Sequence, residues 1–337
     1  MTDYLLQVKN LFVDLYSPEG IVHAVSGVNL AIQKGETVGL VGESGCGKSV
    51  TARSIMRLLP RNIVQYGEDS QIMFLDRGNL LSMSDHDMRS VRGRDISMVF
   101  QDPMTSLNPV KRVSYQIMEG IYLHQRVSKS LEAWDLASKM LVKVGFIDPD
   151  RVLNSYPHEL SGGMCQRVVI AMALCCNPLL LIADEPTTAL DVTVQREILE
   201  LLAGLSKESQ MSVLLITHDF GVVAKLCDRV NVMYAGQIVE TGDVFSIFER
   251  PFHPYTEGLI ASLLDIEKTT RAYHGIPGTV PNLMSPPAGC RFHPRCTKKM
   301  KRCAEEMPPG TQVGDGHAVS CWLYGADGND GRDKGVS

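Results

Sequence analysis

The chain has 337 residues, 44% hydrophobic and 21% charged, with a net charge of −5. That length carries one large domain and a smaller one, and that composition supports an ordinary buried core. The weakly acidic balance gives no reason to expect nucleic acid as the main partner. Nine cysteines behind a start with no signal-peptide pattern argue for reduced thiols in the cytoplasm, not a disulfide framework.

In chain order, the pieces "YLLQVKNLFVDLY" and "VHAVSGVNLAI" within 4–32 predict short strands of an antiparallel sheet. "TVGLV", 37–41, predicts a buried strand, and a helix follows over 48–59. Between them lies "GESGCGKS", 42–49, a match to G-x-x-x-x-G-K-[ST] in the strand–loop–helix context that motif requires. Gly42, Gly45 and Gly47 let the backbone turn its N–H groups toward phosphate oxygens, with Ser44, Cys46 and Val50 completing the lining. Lys48 supplies positive charge to the β- and γ-phosphates, and Ser49 offers a hydroxyl to Mg²⁺. Cys46 reads as a variable loop position, not a nucleophile.

Ile117, Ile121, Leu131, Leu136, Leu141 and Val144 recur at helical spacing, so 113–145 predicts a helical insert. One of the longest apolar runs, 168–176, has nine residues, against roughly 20 for a membrane-spanning helix. "LLLIA", 179–183, and "SVLLIT", 212–217, predict two more buried strands, and the alternation argues for α/β layers around a mainly parallel sheet. The first of these strands runs into Asp184 and Glu185. Asp184 can hold Mg²⁺ and Glu185 can act as general base on an attacking water. Phosphoryl transfer needs positioning and charge neutralisation, which Lys48, Ser49, Asp184 and Glu185 supply. These residues read as a Mg²⁺-dependent NTPase.

"LSGGMCQR", 160–167, places Ser161, Gly162 and Gly163 ahead of an apolar helix, a second anion site. Its "LSGG", followed by Gln166 and Arg167 and lying shortly before "LIADEP", resembles the ATP-binding-cassette family. The resemblance covers roughly 4–250. It implies an ABC-type P-loop NTPase core of RecA-like form with an antiparallel β subdomain and a helical subdomain at about 102–159. It also implies a head-to-tail dimer in which the Ser161, Gly162, Gly163 and Gln166 loop caps ATP bound to the other cassette. Gln101 matches the Q-loop, touching Mg²⁺ or the attacking water. Asp191 matches the D-loop and His218 the switch histidine. Tyr16 is placed to stack on adenine.

"VFQDPMTSLNP", "YPHELSGGM", "DEPTTALDVTVQ", "MYAGQIVETG" and "HPYTEGLI" resemble the oligopeptide/dipeptide permease ATPases, the D-type subunit in particular. That implies a second, different ATPase subunit, two membrane permease subunits and an extracytoplasmic peptide-binding protein. It places the chain peripherally on the cytoplasmic face of the inner membrane. Importers of nickel and glutathione share much of this wording. A non-transport cassette ATPase, in iron–sulfur assembly or repair, is the alternative.

From 277 onward Pro, Gly and Cys density rises, marking a linker or small module within a C-terminal extension, 251–337. The last stretch, "GADGNDGRDKGVS", predicts disorder. The spacing Cys290-x5-Cys296-x6-Cys303-x17-Cys321 reads first as a metal site over about 277–325. The tight C-x₂₋₄-C pairs of a plain zinc site are absent, whereas an iron–sulfur cluster accepts looser spacing. Arg291, Arg295, Lys298, Lys299, Lys301 and Arg302 would offset the charge of such a cluster. "GCRFHPRC" also resembles the C-terminal region of peptide-importer ATPases in which four cysteines hold a [4Fe–4S] cluster. Zn²⁺ and free or redox-paired thiols remain alternatives. Cys165, Cys175, Cys176 and Cys227 read as ordinary core or helix residues.

Overall fold

The computed structural model describes residues 4–188, 190–267 and 276–324; the tail 325–337, for which disorder is expected, lies outside them. Among the described residues the strands are β1 (Tyr4–Ser17), β2 (Gly20–Gln33), β3 (Thr37–Val41), β4 (Val64–Tyr66), β5 (Gln71–Phe74), β6 (Ile96–Val99), β7 (Leu180–Asp184), β8 (Ser212–Thr217), β9 (Arg229–Tyr234), β10 (Gln237–Asp243), β11 (Thr311–Gly314) and β12 (His317–Val319). The chain divides into two compact units, one built on Phe74–Ile216 with Ile32–Thr37, the other on Gln7–Ala31, Val38–Met73 and the residues from Thr217 onward. No helix among the described residues is long and apolar enough to cross a membrane.

In the first unit β6, β7 and β8 run parallel, with Ile96 opposite Leu180 and Leu180 opposite Ser212. Every residue of the three strands is buried, as expected of parallel strands covered on both faces. Strand β7 begins one residue later than its apolar run suggests, so Asp184 is the last strand residue and is only 2% exposed. The helical insert is broken rather than continuous. Val113–His124 and Ser130–Lys143 are separate helices, because Gln125 turns to extended backbone (φ −105°, ψ 146°). Pro149–Asn154 follows, capped by Asp148, whose carboxylate accepts from the Arg151 N–H. These helices pack on one another and on Gly162–Leu174.

In the second unit β1 pairs antiparallel with β4, and β3 runs parallel to β9. The helix after the phosphate loop ends at Ile55, short of the expected 59. Arg57 adopts a left-handed φ of 49°, its N–H reaching the Ser54 carbonyl (3.0 Å) while the Leu58 N–H reaches that of Arg53 (2.8 Å). That is a Schellman ending, reinforced by Pro60. Strands β9 and β10 form a hairpin through Ala235 and Gly236, both at positive φ (45° and 85°), the geometry that suits strand twist.

The C-terminal stretch joins the sheet of the second unit. β12 pairs antiparallel with β10, and β11 with β12, so both extend the sheet that contains β3 and β9. Phe252, Val319 and Cys321 form a buried cluster joined by Val313, Leu323 and Tyr324. The stretch is fixed by Glu240, whose side chain is fully buried (0% exposed). Its Oε1 accepts from the Phe252 N–H (2.7 Å), its Oε2 from the His253 N–H (2.9 Å), and His317 Nε2 lies 2.8 Å from Oε1. Glu240→Ala would leave two buried N–H donors unpaired, and a loss of about 3 kcal/mol in unfolding free energy is expected by chemical denaturation. A loss below about 1 kcal/mol would show that these bonds fix little.

Candidate active site

The phosphate loop hangs between the buried strand β3 and the helix Lys48–Ile55. A Cβ at Gly42 would stand 2.1 Å from the Met233 carbonyl oxygen, and one at Gly47 2.5 Å from that of Ala24. Both positions, with Gly45, have positive φ (156°, 106° and 78°), so glycine is required on steric and conformational grounds. Ser44 and Gly45 are exposed, while Ser49 and Val50 are half-buried on the first turn of the helix. Lys48 is 4% exposed and curls back, its Nζ donating to the carbonyls of Gly42 (2.7 Å) and Glu43 (3.0 Å). Cys46 is fully buried, and burial pushes its thiol up despite the nearby Lys48, which leaves it no nucleophilic character.

Glu43 is held from three directions. Its N–H donates to Tyr255 Oη (2.9 Å), its carbonyl accepts from Lys48, and its carboxylate receives both Nη atoms of Arg295 (2.6 and 3.0 Å).

In the first unit the end of β7 presents Asp184 and then Glu185. Glu185 has a left-handed φ of 47° and donates its N–H to the Ile216 carbonyl (2.9 Å). Gln101 Nε2 donates to Glu185 Oε2 (3.1 Å), and Thr188 Oγ1 donates to the same oxygen (3.0 Å). Gln101 and Glu185 are thus brought together. Ser161 caps the helix Gly162–Leu174, its Oγ accepting from the Met164 N–H (3.3 Å). Gly162 is exposed, and a Cβ on Gly163 would meet Val194 Cγ1 at 2.7 Å. Gln166, on the same helix, is fully buried, and both its amide atoms lack partners. Asp191 caps the helix Val192–Ser209, accepting from the N–H groups of Thr193 and Val194.

In the second unit His218 is exposed just beyond the end of β8. Tyr16 is 44% exposed on β1, its hydroxyl bonded to Gln65 Oε1.

Cys290, Cys296, Cys303 and Cys321 line one small cavity together with His253, Phe292 and Trp322. None of the nine cysteines is joined in a disulfide. Among the described residues no group of three or more His, Cys, Asp or Glu side chains is gathered tightly enough to hold a metal ion. Burial, with the neighbouring Cys290, Cys296 and Cys303, pushes Cys321 up to about 12 against the opposing Leu323 N–H. Burial likewise raises Cys290 and Cys296, opposed by the N–H groups of Phe292 and Lys298. The Met300 N–H donates to Cys303 Sγ (3.4 Å).

Four of the six cations between these thiols have other partners. Arg295 is committed to Glu43, and Arg291 to the Ala235 carbonyl and Ser26 Oγ. Lys298 pairs with Glu257, and Arg302 pairs with Glu306 while lying 3.6 Å over the Trp322 ring. Buried guanidinium groups need several acceptors in fork geometry, which carboxylates and carbonyls provide and thiols do not. Sequence reasoning also missed Glu43, Thr188 and Tyr255, and it assigned Arg295 to the thiols and not to Glu43. Glu43 and Thr188 occupy unspecified positions beside strong motifs, and Tyr255 and Arg295 carry no spacing signal toward the loop they touch.

Two family models match the chain: ABC transporter over residues 25–188, and oligopeptide/dipeptide transporter, C-terminal region, over 239–303. The chain is 50% identical over 321 residues to a probable peptide ABC transporter ATP-binding protein, y4tR, of Sinorhizobium fredii, covering 95% of each. It is 50% identical over 319 residues to the dipeptide transport ATP-binding protein DppD of Bacillus subtilis, covering 95% of this chain and 94% of the relative. Among solved structures, the dimeric ATP-binding cassette MJ0796 in a post-hydrolysis state bound to ADP and Pi superposes with a TM-score of 0.62 at 28% identity, over 71% of this chain and 98% of that one. The chain belongs to the ABC transporter family, among those ATP-binding proteins whose C-terminal region is that of the oligopeptide/dipeptide transporters.

Proposed function

We propose that the chain is the ATP-hydrolysing subunit of an importer of di- or oligopeptides. The observation that carries the chemistry is Glu185, held at the end of a buried strand by Gln101 and Thr188. Relatives at 50% identity are named for peptide and dipeptide transport, which favours peptides over nickel, glutathione or a non-transport role. Residues 1–250 form the nucleotide-binding domain with its helical subdomain at about 102–159, and 251–337 the extension.

In this reading the N–H groups of 42–49 bind the ATP phosphates, and Lys48 turns from the loop carbonyls to the β- and γ-phosphates. Ser49, Gln101 and Asp184 are the residues that would hold Mg²⁺, whose charge would offset that of the phosphates. Glu185 takes a proton from water as it attacks the γ-phosphorus, the bond to the bridging oxygen breaks, and ADP leaves. His218 contacts the γ-phosphate. Ser161, Gly162 and Gly163 serve the site of the opposing cassette, whereas Gln166, expected there too, is fully buried and supports their helix from within, and Asp191 lies between the two sites. Tyr16 stacks on the adenine. The opposing cassette is a different subunit, and an extracytoplasmic binding protein delivers peptide. Glu185→Gln is expected to leave ATP affinity intact and to slow phosphate release by about 10²–10⁴-fold; rapid turnover with the partner cassette also inactivated would reassign the base.

The permease subunits dock on the helices of the first unit. There Tyr115, Met118, Tyr122, Leu123 and Trp134 line an open groove, with Tyr115 and Leu123 70% and 72% exposed. Leu123→Asp should abolish peptide uptake while ATP binding by the chain stays within about twofold of wild type. Uptake at wild-type rate would move the docking site elsewhere.

We propose that the four thiols hold an iron–sulfur cluster and not a single ion, a reading that rests on their loose spacing along the chain. One zinc draws its sulfurs to about 2.3 Å, whereas a [4Fe–4S] cubane spreads its ligands over four corners. Cys290, Cys296, Cys303 and Cys321 line one cavity, and backbone N–H groups act on their sulfurs, the kind of hydrogen bonding that tunes such clusters. When bound, the cluster would cross-link the C-terminal stretch. Anaerobically purified protein should be brown and contain iron and sulfide in equal amounts; a colourless protein with one zinc would exclude the cluster.

A further inference from the structure

We propose that Arg295, carried by the four-cysteine stretch, is a positioning residue for the phosphate loop: it clamps Glu43 and cancels the carboxylate charge that would otherwise face bound triphosphate. The proposal rests on ATP binding at 42–49 but not on what the thiols hold.

The geometry is specific. Arg295 sits directly before Cys296, 252 residues from Glu43, and its side chain is 5% exposed. Nη1 lies 2.6 Å from Oε2 and Nη2 3.0 Å from Oε1, so the pair is bidentate. The remaining donors are also placed: Nε to the Pro277 carbonyl (2.8 Å) and Nη2 to that of Ile276 (3.2 Å). The guanidinium lies 5.7 Å from the Tyr234 ring centroid, and Tyr234 packs on Tyr255, whose hydroxyl receives the Glu43 N–H. A second anchor, Arg291, bonds the Ala235 carbonyl, next to Gly236, whose N–H donates to Cys46 of the loop (2.8 Å).

Glu43 is therefore the one acidic side chain of "GESGCGKS", and its carbonyl holds Lys48. An unpaired carboxylate beside a triphosphate repels it, and the repulsion strengthens as the site loses water. A bidentate fork removes that charge and fixes the direction of the Glu43 peptide, which a point charge does less well.

The test measures binding of ATP with Mg²⁺ to the full chain, and KM and kcat in the assembled transporter. Arg295→Met should weaken binding about tenfold and raise KM with kcat little changed. Adding Glu43→Gln to Arg295→Met should restore affinity to within about threefold of wild type, because the offending charge is gone; a purely structural role for Arg295 would predict no rescue. Unchanged affinity in Arg295→Met, or a double variant as weak as the single, overturns the proposal. Should Arg295→Met fail to fold, Arg295→Lys replaces it: affinity about threefold weaker supports the clamp, and wild-type affinity overturns it. Failure of the wild-type chain to bind ATP would refute the nucleotide site itself, a separate outcome.

Discussion

Backbone N–H groups can hold a triphosphate only where side chains stay out of the turn. At Gly42 and Gly47 the neighbouring backbone of Met233 and Ala24 already occupies the space a Cβ would take. The loop is therefore shaped by its surroundings as well as by its sequence. β9 approaches through its parallel pairing with β3, which sets Val41 opposite Val232. The β9–β10 turn then reaches the loop from its other end, as Gly236 donates to the Cys46 carbonyl and accepts from the Ser26 N–H. Packing at this density leaves one conformation for the loop.

The first unit solves a different problem, that of presenting negative charge at the end of an apolar strand. Asp184 remains inside β7 and nearly buried, while Glu185 is turned outward by a left-handed backbone. For a non-glycine residue that conformation costs on the order of 1 kcal/mol and persists only where neighbours over-determine it. The Ile216 carbonyl, Thr188 and Gln101 supply that constraint. The carboxylate is thus oriented before any nucleotide arrives, as electrostatic preorganisation requires.

What could be read from the sequence follows from how local each signal is. "GESGCGKS", "LIADEP" and "LSGG" are contiguous, because a loop and its flanking strand or helix must follow one another along the chain. The strands at 37–41 and 212–217 were legible for the same reason, as uninterrupted apolar runs between turns. Helix ends were less so: Arg57 ends its helix in a left-handed turn that usually calls for glycine or asparagine, so no residue type announces it. Least legible were the buried side-chain pairs. Glu240 and His317 are 77 residues apart, and Arg295 and Glu43 are 252 apart. Sequence adjacency assigns the charge between the cysteines to the cysteines, whereas the fold gives Arg291, Arg295, Lys298 and Arg302 other partners.

The Arg295–Glu43 pair also bears on why the C-terminal stretch is built as it is. A buried ion pair adds little net stability over an apolar contact of the same size, since desolvation offsets most of the attraction. What it adds is direction: two parallel N–H···O bonds fix the orientation of both planes. In "CRFHPRC" the two buried arginines sit between two thiols, four positions apart. Arg291 grips the β9–β10 turn and Arg295 the loop, with Phe292 packed between them on Tyr234 and Tyr255. Both anchors must reach their acceptors from one short segment, so the spacing of that segment has to be fixed. It holds no helix or strand of its own among the described residues. Turn hydrogen bonds supply that spacing, from the His293 N–H to the Cys290 carbonyl (2.9 Å) and from the Arg295 N–H to the Phe292 carbonyl (3.0 Å), so one short turn delivers both guanidinium groups to their acceptors.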